Sequence, residues 1–114
     1  MHQDPEALIV LFVDKAKSLA FRSVHDGAVV AEVPLGHTLI SGTSRDDMIV
    51  TVGQRPDSLI IIRDRHAPEK QQLVALSCYP VGVAISPTLD TIAVMLNDGL
   101  TICIAPPRHD CELI

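Results

Sequence analysis

The pairs His25-Asp26 and His109-Asp110 each set a general base beside a carboxylate that can orient it, the combination used for proton transfer and for activating a nucleophile. Adjacent residues of an extended chain point to opposite faces, however, so neighbouring His and Asp seldom meet in one site, and both pairs read as polar turn residues. Cys103, His109 and Cys111 offer thiolate and imidazole ligands of the kind zinc takes, but their spacing is irregular and there is no Cys-x-x-Cys. Asp46-Asp47 and Asp90 are placed where turn carboxylates satisfy loose backbone N–H groups, and a calcium loop would need more acids at alternate positions. Lys15, Lys17 and Arg22 make a small basic cluster that reads as a solvated face. The chain has no glycine-rich phosphate loop and no Gly-x-Ser-x-Gly elbow. The residues therefore supply no catalytic candidate, and the expectation is a protein that is not an enzyme and carries neither cofactor nor metal.

The elements that would position these groups are short and extended. Leu8 to Val13, Ser18 to Phe21 and Ala28 to Val33 are apolar runs separated by the polar Asp14-Lys15-Ala16-Lys17 and by His25-Asp26-Gly27, whose Asp-Gly step is a hairpin signal. A second unit follows Pro34, with strands expected at Thr38 to Ser41, Met48 to Val52, Ser58 to Arg63 and Leu73 to Leu76. Turns are expected at Ser44 to Asp47 and Gly53 to Asp57, and an exposed loop at Asp64 to Gln72. A third unit has strands at Val81 to Ile85, Thr91 to Leu96 and Leu100 to Ala105, then stops at Pro106-Pro107, which has no N–H to extend a ladder. The tail Arg108 to Ile114 adds a weak strand or none.

Composition fits such a fold. Apolar residues make up 47% of the chain, yet Phe12, Phe21 and Tyr79 are the only aromatic ones, so the core must come from Val, Ile, Leu and Ala, which favours strands. The net charge of -5 and the scattered basic residues argue against a nucleic-acid ligand. No apolar run approaches the ~18 residues of a membrane-spanning helix, and Asp4 and Glu6 stand where a secretory signal carries Lys or Arg. Cys78, Cys103 and Cys111 form an odd set in a chain that needs no staples. A soluble protein of the cytoplasm is expected, away from membranes, with Cys103 as a small core residue.

The units repeat. Leu19, Leu59 and Leu100 fall 40 and 41 residues apart, Ile9 and Ile49 are 40 apart, and Ile49 and Ile92 are 43 apart. The middle unit is the most informative: Gly36-His37 opens it, Ser44-Arg45-Asp46-Asp47 forms its first turn, and Asp57 precedes Arg63-Asp64 at its close. In these features it resembles a WD40 repeat, whose period is about 40 to 45 residues and whose four strands make one blade of a β-propeller. The resemblance covers residues 8 to 105 and is specific in the middle unit. In the third unit Ser86-Pro87 and Asp98-Gly99 fit the two turns, but Tyr79-Pro80 and Ile104-Ala105 replace the signature pairs; the first unit keeps strand spacing alone.

The resemblance implies an all-β chain, a partial propeller of four-stranded antiparallel blades, with a β-sandwich or barrel as the alternative. Residues 1–34 would be a partial blade, 35–77 a WD40-like blade and 78–114 a third, degenerate one, all in a single propeller fragment. It also implies a buried hydrogen-bond network of His37, Thr51 and Asp57, with the family's Trp replaced by Arg63, a charge that must reach solvent or pair with an acid. Fewer than three blades leave sheet edges and inter-blade faces open. The expected function is a protein-interaction scaffold within a larger assembly, its partners being other subunits or further blades, with Leu35, Arg55, Tyr79 and Asn97 on the binding surface. Tyr and Arg lead that set because both are frequent interface hot spots. The rival is an enzyme-type propeller holding a ligand or metal at its central channel, for which the innermost strands offer Thr38, Ser41 and Val81 to Ile85, too few polar groups for a metal cage.

Overall fold

The computed structural model describes residues 8–105, all of them in strands, turns and connecting segments. Three antiparallel sheets form, none closed on itself. The first contains β1 (Leu8–Leu11), β2 (Ser18–Ser23) and β3 (Val29–Pro34) in that order; the second contains β4 (Thr38–Arg45), β5 (Met48–Gln54), β6 (Ser58–Ile62) and β7 (Gln71–Ala75); the third contains β8 (Pro80–Ile85), β9 (Ile92–Leu96) and β10 (Thr101–Ile104). Each sheet is a meander of consecutive strands, the connection that short polar turns allow. Among the described residues no helix is long and apolar enough to cross a membrane.

Alternation along β5 and β6 explains how the sheets stack. Met48, Val50, Val52, Leu59 and Ile61 pack with Ile85, Ile92, Val94 and Leu96 of the third sheet. Ile49, Ile60 and Ile62 point the other way and pack with Leu19, Phe21 and Val33 of the first. Side chains on a strand alternate between faces, so a strand buried along its whole length must have both faces covered. That is the condition of β6, in which every residue from Ser58 to Ile62 is buried, and of β5 up to its last residue.

The three sheets also stack in one sense. Leu19 and Phe21 on β2 face the following sheet, as do Leu59 and Ile61 forty residues later on β6. Ile92 on β9 faces the preceding sheet, as does Ile49 on β5. The outer faces follow from the same alternation. Ile9 and Leu11 look away from the middle sheet on the first, and Met95 and Cys103 on the third.

Three expectations need correction. β7 begins at Gln71, so Gln71 and Gln72, expected in the exposed loop, pair instead with Ile62 and Ile61. β4 runs to Arg45 instead of ending at Ser41, because Ser44 pairs Ile49 and Arg45 pairs Met48; the turn is reduced to Asp46-Asp47, with Asp46 at φ 53°. Cys103 is exposed rather than in the core. It sits opposite Ala93 between Ile102 and Ile104, which take the inward positions. His109, Asp110, Cys111 and the tail from residue 106 lie outside the described residues.

Candidate functional site

His37 lies between β3 and β4 with 3% of its surface exposed, and both ring nitrogens meet hydroxyls. Nε2 is 2.9 Å from Thr51 Oγ1 on β5, and Nδ1 is 2.8 Å from Ser58 Oγ on β6. The Ser58 hydroxyl donates its own hydrogen to the Pro56 carbonyl at 2.7 Å, so it can only accept from the imidazole. That fixes the tautomer: Nδ1 carries the hydrogen and donates to Ser58, while Thr51 donates to Nε2. The relay thus runs from Thr51 through His37 and Ser58 to a backbone carbonyl, and each buried polar atom in it is satisfied. Burial pushes the His37 pKa down to about 4, so the ring is neutral at ordinary pH.

The network differs from the expected one in a single member. Ser58, not Asp57, serves Nδ1. Asp57 lies in the turn just before β6, and no hydrogen bond joins its side chain to His37. Asp57 contributes through its backbone, its carbonyl accepting the Leu76 N–H at 3.0 Å. A serine next to the expected acid is a signal visible in the sequence, but an acid is the more obvious partner for an imidazole. Gly53 completes the packing: a β-carbon there would stand 2.6 Å from the His37 ring and closer still to the Thr38 carbonyl.

The four surface candidates lie at one end of the strands. Thr38 pairs with Gln54, and Pro80 pairs with Leu96, so the β3–β4 link with Leu35, the β5–β6 turn with Arg55, the β7–β8 link with Tyr79 and the β9–β10 turn with Asn97 share that end. Arg55 and Asn97 are exposed, and Tyr79 is 36% exposed. Leu35 turns inward against the core between the first two sheets. Tyr79 and Asn97 are brought together: the Asn97 N–H donates to the Tyr79 carbonyl at 2.8 Å, and the Cys78 thiol donates to Asn97 Oδ1 at 3.0 Å.

The remaining polar groups mostly shape turns. Asp26 Oδ1 accepts the Ala28 N–H, and the His25 N–H donates to Ser23 Oγ, so this pair organises a hairpin turn. Asp90 accepts the hydroxyls of Thr88, Ser86 and Thr91, which together hold its carboxyl below the usual range.

At the opposite end of the strands lie features that the sequence reading passed over. His66 Nε2 is 3.6 Å from Asp47 Oδ1, and Asp64 joins them with its ligand atom within 4.8 Å of the others. All three are exposed. Beside them the β6–β7 connection borders an open pocket of about 480 Å³. Arg63 lines it, and its Nη2 atom is buried with no hydrogen-bond partner among the described residues. The guanidinium expected to reach solvent or to pair with an acid has done neither with that nitrogen.

The sequence was also compared with known proteins: no family model matches the chain, and no curated protein matches it.

Proposed function

We propose that the chain is a segment of a WD40-like β-propeller that serves as a protein-interaction scaffold, its two outer sheets seating on further blades or on other subunits. The observation that carries this reading is the contrast between inner and outer sheet faces. Ile49 is 1% exposed where the first sheet covers it, while Ile9, forty residues earlier, is 50% exposed on a face that no other described residues cover. Leu11 is likewise exposed on the first sheet, and Met95 on the third. Repeat architectures bury such faces by adding another unit of the same kind, and isolated units cannot satisfy them. Among the described residues β10 pairs only with β9, and an unpaired strand edge is a row of backbone groups that a further strand can join.

Strand order supports the same reading. With Leu19 and Leu59, and Ile49 and Ile92, as equivalents, β1 and β2 correspond to β5 and β6, and β9 and β10 correspond to the same two strands in the third sheet. On that alignment the first sheet has no counterpart of β4 among the described residues, and the third none of β7. The loop end bearing Arg55, Tyr79 and Asn97 is then the surface offered to a partner.

Sedimentation of the chain alone, with a dye that reports exposed apolar surface, tests this. The chain should self-associate and bind the dye, and Leu11→Lys and Met95→Lys should suppress both without loss of β structure. A monomer that ignores the dye, and that the two substitutions leave unaltered, would overturn the reading.

A further inference from the structure

The two outermost sheet faces are the two halves of an interface that the chain builds twice within itself. Between the first and second sheets, Leu19 and Phe21 pack with Ile49, Ile60 and Ile62. Between the second and third, Leu59 and Ile61 pack with Ile92 and Val94. In both, the forward face that one sheet turns to its successor meets the backward face that the successor turns to it. Ile9 and Leu11 stand on the backward face of the first sheet, forty residues before Ile49 and Thr51. Met95 and Cys103 stand on the forward face of the third, at the positions that Val52 and Ile61 hold in the second.

The two faces also suit each other in relief and charge. Met95 lies across Gly82, where a β-carbon would stand 2.6 Å from its Cε, and beside it are Ala84, Ala93, Thr101 and Cys103. Among the described residues that face is low and carries no charge. The backward face of the first sheet is ridged instead, by the branched Ile9 and Leu11. Its cation, Arg22, is drawn to the margin, because Nη1 donates to the Gly27 carbonyl at 2.7 Å, and Glu32 on the same face balances it in sign. Stacked sheets are held by side chains that interdigitate in this way.

We propose that the occupant of both faces is a second copy of this chain, an inference that rests on the outer faces being interaction surfaces and names what seats on them. The copies stack head to tail, Ile9 and Leu11 of one against Met95 and Cys103 of the next. An unrelated partner would have to present such a face afresh, whereas a second copy presents both in the register already used internally. The contact is heterologous, so each pairing leaves one face of each kind for another copy or for closure.

Sedimentation of the 114-residue chain and of mixed variants tests this. L11K damages the backward face and M95K the forward one, each setting an unpaired charge in an apolar contact. Either variant alone should associate about tenfold or more weakly than the parent. Mixed in equal amounts they should recover a complex with one copy of each, since the forward face of L11K and the backward face of M95K are intact. I9K with T101K is a second such pair, and circular dichroism checks that every variant keeps its β structure. Suppose that the parent self-associates but the variants behave as it does, that a single face accounts for the loss, or that the mixture recovers nothing. Any of these overturns the head-to-tail contact while leaving the outer faces as interaction surfaces of another geometry. A monomeric parent that binds the apolar dye overturns the second copy as occupant and leaves the faces to a different protein. A monomer that ignores the dye sinks both readings.

Discussion

The ring of Phe12, in the link between β1 and β2, lies against the backbone of Gly42 in β4, so near that a β-carbon on Gly42 would stand 2.5 Å from Phe12 Cε1 and closer to Cδ1. The contact fastens the link of the first sheet to β4, the first strand of the second. Gly42→Ala should destabilise the chain by about 1–3 kcal/mol through overpacking, and Phe12→Ala should remove most of that penalty. Urea unfolding of the two single variants and the double variant measures it; additive effects would contradict the contact.

The hydroxyls around His37 make a sharper test. Thr51→Val keeps the shape of the side chain but leaves Nε2 without its donor, and should cost about 1–3 kcal/mol. Ser58→Ala should cost at least as much, because it strips partners from both Nδ1–H and the Pro56 carbonyl. Asp57→Asn should stay within about 0.5 kcal/mol, as expected of a side chain outside the relay. The ordering is read from denaturation midpoints, and a larger loss for Asp57→Asn than for Thr51→Val would restore the acid as the partner of the imidazole.

The same residue sets a pH dependence. Folding lowers the His37 pKa from 6.5 to about 4, so in the window between those values the unfolded chain binds a proton that the folded chain refuses. This contribution is fully present above pH 6.5 and is lost as pH falls toward 4, amounting to about 3 kcal/mol at most. Stability measured across pH 7 to 4 should fall less steeply in His37→Gln than in the parent chain, and the His37 ring should remain neutral at pH 5.5 by NMR. Protonation of that ring near pH 6.5 would sink the assignment.

Equivalent positions should respond unequally to one substitution. Ile49→Ala empties a buried site and should cost about 2–5 kcal/mol, whereas Ile9→Ala, at a half-exposed one, should cost well under half as much in the isolated chain. Thermal unfolding of the two variants compares them. Equal losses would mean that the outer face of the first sheet is already covered.

The sequence carried the strands clearly and the side-chain pairing poorly, for physical reasons that particular residues illustrate. The run Ser58 to Ile62 has no polar alternation, and a strand without it needs cover on both faces, as β6 has. Leu8 to Val13 reads just as apolar, yet Ile9 and Leu11 are exposed, because burial there depends on a neighbour that local pattern does not encode. Cys103 fell on the outer face by the parity of its strand, which shifts with one residue of register. The choice of Ser58 over Asp57 turned on the path of the β5–β6 turn, which a sequence pattern does not specify. The open pocket beside Arg63 was illegible altogether, since it is formed by a loop folding back on the ends of β6 and β7, and loop paths leave no periodic trace.

The cladding of β5 and β6 on both sides sets an order of opening for the molecule. Their amides should be the slowest to exchange with solvent, since releasing them requires parting two apolar interfaces at once. β1 and β10, each tied to one neighbour along one edge among the described residues, should open before the centre does. An arriving strand or blade would therefore meet loosened margins around a rigid keel, and could be grafted on without the molecule first coming apart.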